Sequence, residues 1–313
     1  MRARRLTTLI ILLSTVLFIA VHTVAIEHPE KKTIGVIMIP RIYYFEEIHN
    51  SFIGSLFSEG LKRDDVEIII QKPLPDRISL LNTVRKFVAL DVDVIVSYGT
   101  PATLAAVSEQ SDIPVIFAGV FDPYRAGISL KNAAGVSSKV SILDLLQRLK
   151  KISDFSRLGV LYTSTEEDSL LQADEVKRLQ ERLGFKSVPF NIRRTTDTKK
   201  IRDVDALLIT SSCPVIYCLN HIIDIARREK IPLASLINTE KGSGVLLTVS
   251  ANPEEQGREA AILVTRLLKG ESISSLSVIS PNRIDVITNP KEAANLGLKI
   301  NTRSITNRKG VVK

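Results

Sequence analysis

Short apolar runs alternate with longer segments of helical period along most of this chain. Residues 34–39, 66–71, 94–97 and 115–118 are rich in Val and Ile, the pattern of strands buried on both faces of a parallel sheet. Between them, 45–61, 79–90 and 101–109 read as helices. Segment 132–138 then leads into an amphipathic helix at 142–151, and the pattern restarts. Strands are expected at 158–162, 187–191, 206–210, 233–236 and 244–249, with helices at 169–183 and 215–229. The polar stretch 193–202 leaves room only for a short helix. Near the end, Asn252-Pro253-Glu254-Glu255 has the order of a capping box opening a helix over 255–268 that Gly270 stops. Asn289-Pro290-Lys291-Glu292 repeats the device, with Gly297 as its stop. Alternation of this kind predicts an α/β fold of two similar lobes, each a parallel sheet flanked by helices.

The first 25 residues are a separate object. Arg2, Arg4 and Arg5 precede a nearly unbroken apolar stretch from Leu6 to Val21, and Thr23-Val24-Ala25 supplies small residues for cleavage. This reads as a secretory signal peptide, with an uncleaved membrane anchor as the alternative. Export places the expected location in the periplasm or another extracytoplasmic space. The formal net charge of +8 includes the three leader arginines, and a further basic cluster sits in a tail at 301–313 without periodicity, expected to be disordered. The remaining cations scatter over helix faces without interleaved aromatics, so nucleic acid is not an expected partner. Cys213 and Cys218 are the only cysteines, and they read as two buried thiols rather than a bridge. Too few ligands surround them for zinc, and no metal or cofactor is expected.

Function is written most clearly between Val92 and Gly127. The strand at 94–97 ends in Gly99-Thr100-Pro101-Ala102, where Thr100 is expected as N-cap and Pro101 suits the first turn. The strand at 115–118 runs into Phe121-Asp122-Pro123 at the same sheet edge. Ligands in open α/β sheets bind outside the carboxyl ends of strands, and a helix start there offers N–H groups to an anion. GTPATLAA followed by IPVIFAGVFDPYRAG resembles the paired signature of the tryptophan/tyrosine-type substrate-binding proteins of ABC transporters. The resemblance extends through GREAAILVTRLLKG and DVITNPKEAANLGLKI. It implies a type 1 periplasmic-binding-protein fold, with 33–138 and 251–280 in the first lobe and 139–250 and 281–300 in the second.

The candidate ligand-binding residues follow from the strand ends. They are Tyr43 and Glu46 after the first strand, then Thr100, Pro101 and Ala102, then Phe121 and Asp122. On the second lobe they are Ser164, Asp168, Ser211, Ser212 and Asn252. Asp122 is the expected acceptor for a ligand ammonium, with Glu46 and Asp168 behind it, because a buried carboxylate is best tolerated beside a cation. Each also has a plain structural reading. Ser164-x-x-Glu167 and Thr165-x-x-Asp168 have helix-cap spacing, Ser211-Ser212 could simply start the helix carrying Pro214, and Tyr43-Tyr44-Phe45 could be core packing. The chain departs from the family pattern in three places. Asp168 stands before Ser169 where asparagine is common, AAGVSS lacks a threonine before its glycine, and TVSANPEE lacks a usual tyrosine.

An enzyme is not expected. Beyond the leader region only His49 and His221 remain, and neither accompanies a recognisable nucleophile motif. The resemblance implies a monomeric, exported binding protein that captures a small polar ligand, an amino acid first among candidates, and delivers it to an ABC permease in the inner membrane. A ligand-sensing module that signals to a membrane receptor is the alternative, and a hydrolase a more distant one.

Overall fold

The computed structural model describes residues 31–300 apart from Gln110 and Lys241. The expected signal segment at 1–25 and the expected tail at 301–313 lie outside the described residues. Among the described residues no helix is long and apolar enough to cross a membrane.

Two six-stranded sheets carry the fold. The first contains β1 (Lys32–Ile37), β2 (Val66–Gln71), β3 (Val94–Tyr98), β4 (Val115–Val120), β5 (Ala133–Ser137) and β11 (Val278–Ile279), in the spatial order β2-β1-β3-β4-β5-β11. All its pairs are parallel. The second contains β6 (Arg157–Tyr162), β7 (Lys186–Asn191), β8 (Ala206–Ile209), β9 (Leu233–Ser235), β10 (Leu247–Ala251) and β12 (Ile284–Thr288), in the order β7-β6-β8-β9-β10-β12. Only β12 runs antiparallel, against β10.

Helices cover both faces of each sheet. In the first lobe α1 (Tyr43–Ser58) packs along α8 (Pro253–Leu268), while α2 (Arg77–Ala89) packs with α3 (Thr100–Ser108). In the second, α4 (Ile142–Ile152) packs with α5 (Glu167–Leu183), and α6 (Cys213–Tyr217) leads into α7 (Leu219–Arg228). A last short helix, α9, spans Pro290–Asn295. The strands show why both faces need cover. Along β8, Ala206 and Leu208 join one apolar cluster and Leu207 and Ile209 the other. The cluster holding the first-lobe core continues into the α6–α7 face of the second lobe.

The chain passes between the sheets three times: from β5 to α4, from β10 to α8, and from β11 to β12. Three strands escape the apolar pattern. β5 is built of small residues, because Phe117 lies so close that a Cβ on Gly135 would meet it at 2.5 Å. β11 is two residues long, and β12 is only half buried. The single helix expected over 215–229 is broken. Ser212 caps a one-turn helix, and Cys218, outside helical geometry, separates it from α7.

The returning helix α8 also completes the first sheet. The β4–β5 register shifts between Phe117 and Val120, where Gly119 has a φ of +72° that favours glycine. The bulge takes two backbone groups out of the ladder. Gly119 N–H donates to Gln256 Oε1 at 3.0 Å, and Gln256 Nε2 donates to the Ser137 carbonyl at 2.8 Å. Gln256 is fully buried. Gln256→Leu keeps the volume but leaves both groups unpaired, which should lower unfolding stability by about 2–4 kcal/mol. Urea denaturation measures this directly, and an unchanged midpoint would show that the amide bridge is dispensable.

Candidate functional site

Strand order reverses between β1 and β3 in one lobe and between β6 and β8 in the other, which opens a crevice at each carboxyl edge. The two crevices face each other around a cavity of about 20 Å³, room for roughly one water. From the first lobe it is lined by Ile42, Tyr44 and Phe45 after β1, by Gly99, Thr100 and Pro101 after β3, and by Gly119 of β4. From the second come Asp168 after β6, Ser211, Ser212, Cys213 and Ile216 after β8, and Leu236 and Ile237 after β9. Ser138, on the first crossing, also contributes. Equivalent strands of the two lobes therefore supply equivalent walls.

The start of α3 differs from the sequence expectation. Gly99, not Thr100, is the N-cap, with a φ of +82°. A side chain there would strike the Phe45 ring, with Cβ 2.5 Å from Cζ. Thr100 is thereby drawn into the first helical turn, and its hydroxyl is free to reach across the cleft. It donates to Asp168 Oδ2 at 2.5 Å, and the Phe121 N–H donates to the same oxygen at 2.8 Å. One carboxylate oxygen of the second lobe thus accepts from two elements of the first. Asp168 Oδ1 is buried and accepts no hydrogen bond. Burial pushes this carboxyl up to about 6, against the downward pull of the Thr100 hydroxyl and of the Phe121 and Asp122 N–H groups, and the Asp122 charge adds to the rise. A third bond between the lobes runs from the Tyr217 hydroxyl to the Pro40 carbonyl at 3.0 Å.

A second carboxylate sits behind the first. Glu166 is the N-cap residue of α5 yet makes no side-chain cap there. Its Oε2 accepts instead from the Cys213 N–H at 3.0 Å, at the start of α6. The protein's own carboxylate therefore fills that helix N-terminus. Glu166 Oε1 is buried without a partner. Burial raises this carboxyl to about 7, against the Cys213 N–H, and the nearby charge of Asp168 adds to the rise. Burial likewise raises the Cys213 thiol, helped by Glu166. Both cysteines are free and buried.

Of the residues singled out by sequence, Thr100, Pro101, Asp168, Ser211 and Ser212 line the cavity. The others lie nearby or elsewhere. Tyr43 is half-buried and Glu46 exposed, while their neighbours Tyr44 and Phe45 turn inward. Ala102 is packed inside α3, and Phe121 contributes its backbone N–H. Asp122, the expected acceptor for a ligand ammonium, already has partners. It accepts from the Arg125 N–H at 3.1 Å and pairs with Lys139 at 2.7 Å. Burial would raise its carboxyl, but Lys139 and the Arg125 N–H outweigh it and hold it below the usual range.

Ser164 caps no helix, and its hydroxyl accepts from Asn191 and Arg193. Asn252 does cap α8, accepting from the Glu255 N–H, and also donates to both oxygens of Asp285. The expected capping box is half formed, because the Glu255 carboxylate turns to the N–H groups of Asn282 and Arg283. Sequence reasoning passed over Gly99, Gly119, Cys213, Leu236 and Ile237 as individual lining residues. Leu236 and Ile237 follow β9 at its carboxyl end, so the strand-end rule applied to every strand would have found them.

Comparison with known proteins agrees with this architecture. The family model for ABC transporter substrate binding proteins matches residues 34–311. The crystal structure of the ABC domain in complex with L-Trp from Streptococcus pneumonia is 24% identical, covers 88% of this chain and 97% of that one, and superposes with a TM-score of 0.81. The ligand-free, open structure of CD0873, a substrate binding protein with adhesive properties from Clostridium difficile, is 26% identical, covers 87% and 96%, and gives 0.64. Among curated sequences, the uncharacterized protein RP367 of Rickettsia prowazekii is 22% identical over 226 residues, 70% of this chain and 71% of its own.

The raised carboxyls have a measurable sign. A group whose folded pKa lies above its unfolded value stabilises the fold fully below the unfolded value, and the gain is lost as pH rises through the folded one. For Glu166 that window runs from about 4.5 to about 7. Relative to Glu166→Gln, the unmodified protein should therefore lose about 1–3 kcal/mol of stability between pH 4.5 and pH 8. Parallel melts of the two proteins across this range cancel the titrating groups that Glu166 does not touch and report Glu166 with its coupling to Asp168. Curves that stay parallel would place the Glu166 carboxyl in its ordinary range.

Proposed function

Because the chain belongs to the ABC transporter substrate-binding protein family, we propose that it captures a small polar ligand, an amino acid first among candidates, between its lobes and delivers it to an ABC permease. The architecture is that of type 1 periplasmic binding proteins, two parallel-dominated sheets flanked by helices. The carrying observation is the cavity between the two carboxyl edges, with a buried Asp168 oxygen that accepts no hydrogen bond. Binding energy spent across such a cleft stabilises the closed arrangement, and the closed shape is what a membrane partner reads.

The lobe arrangement supports this cycle. At nearly equal identity the chain superposes better on the relative in complex with L-Trp than on the ligand-free, open one. The closed cleft has room for about one water, so entry of a ligand requires the lobes to part and the lining side chains to turn aside. An amino acid suits the groups present. Asp168 accepts from an ammonium, the first turn of α3 faces a carboxylate, and Tyr44 and Phe45 offer apolar ring surface. Structures of the same fold with polyols, including one from Bacillus halodurans with bound myo-inositol, make neutral polyols the second ligand class. We place the working protein outside the cytoplasm, where such family members meet their ligands.

A thermal-shift screen of the purified chain against amino acids, sugars, polyols and nucleosides tests the reading. A ligand at a hundred times its Kd adds about 2.7 kcal/mol to the folded state, a rise of several degrees. The hit should also compact the protein in solution scattering as the lobes close. A screen without hits on folded protein would remove the capture role.

A further inference from the structure

The cavity is electrically one-sided. Among its lining residues Asp168 is the only charged one, and none is Lys, Arg or His. Asp168 Oδ2 is committed to Thr100 and Phe121, so Oδ1 is the one oxygen left to serve the cavity, buried and without a partner. A carboxylate oxygen in that position is costly unless a cation or strong donor comes to it.

The anion-binding capacity of the same walls is thin. The N-terminus of α6 is taken by Glu166. At the start of α3, Pro101 has no N–H and the Thr103 N–H is bonded to the Gly99 carbonyl, which leaves only the N–H groups of Thr100 and Ala102 to face a carboxylate. Lys139, which follows β5, is paired with Asp122.

We propose that the cavity selects its ligand by a protonated amine seated on Asp168 Oδ1, so that amines bind without a carboxylate and carboxylates do not bind without an amine. The assignment rests on the capture reading above and narrows its ligand class. Binding is also linked to a proton. The groups facing Asp168 are Thr100, Phe121 and Asp122 from the first lobe, and Glu166 and Cys213 from the second. None of these brings a positive charge; the Asp122 charge opposes ionisation while its N–H favours it, and burial outweighs both. A ligand ammonium reverses that balance: it meets the neutral carboxyl, the O–H bond breaks, the proton leaves to solvent, and the ion pair remains.

Titration calorimetry on the full chain tests this with four probe sets: the L-amino acids, their decarboxylated amines, their deaminated acids, and neutral polyols. Runs at pH 6 and pH 8 in two buffers of different ionisation enthalpy count the protons. Amine-bearing probes should bind with release of about half a proton at pH 6 and almost none at pH 8, given a free carboxyl near 6. Asp168→Asn should weaken them about 10- to 100-fold and abolish the release. Tyr217→Phe removes a lobe contact that does not touch Asp168, so amine preference and proton release should survive it. A preference for polyols or deaminated acids, or undiminished amine affinity in Asp168→Asn, overturns the assignment while the capture role stands. Failure of folded protein to bind any probe overturns both.

Discussion

Every parallel strand delivers its carboxyl end to the same edge of its sheet, and both lobes turn that edge inward. This constraint governs the rest of the molecule. Strand ends are where backbone bonding runs out and polar side chains collect. Bringing two such edges together forces polar groups into a space with almost no water. Asp168 resolves part of the conflict by giving one oxygen to the opposite lobe, where a hydroxyl and a backbone N–H receive it. Its other oxygen is left in the cavity, and so is the cost of burying it.

The same constraint explains the pair of raised carboxyls. Glu166 and Asp168 leave the end of β6 two residues apart, so burying one nearly buries the other. Burial holds each closer to neutrality than it would be in water, and a neighbouring charge adds to it, that of Asp168 at Glu166 and that of Asp122 at Asp168. The helix start at Cys213 relieves Glu166 only in part, through one N–H. The closed arrangement therefore rests on few, well-placed bonds between the lobes, of which Asp168 accepts two and Tyr217 donates one to Pro40.

Much of the fold was legible because buried parallel strands are written as unbroken runs of Val, Ile and Leu. β3, β4, β6 and β8 are all found this way. β5 was not legible, since Phe117 demands glycine at 135 and the alanines and serine around it carry little apolar signal. The break at Cys218 was hidden for a different reason, because α6 and α7 share one helical period across it. In the candidate site, the loops after β1, β3 and β8 could be placed by rule. Which side chain in each loop turns inward could not. Tyr44 rather than Tyr43 faces the cavity because of the rotation of α1, and Thr100 is released from capping because Gly99 takes a conformation that Phe45 leaves open to no side chain. Asp122 looked free because its partner, Lys139, lies beyond β5.

The amide of Gln256 has a consequence for the order in which the molecule is finished. The residues of β1 to β5 leave the ribosome first, yet their sheet is complete only when α8 returns to satisfy Gly119 and Ser137. Between them, the intervening strands of the second sheet must be synthesised. Until then the first sheet carries a bulge with unmet backbone groups and a face that α8 has not yet covered. The lobe that is begun first thus waits on a helix made after most of the other, and a nascent chain halted before Pro253 holds an unfinished sheet however long it waits.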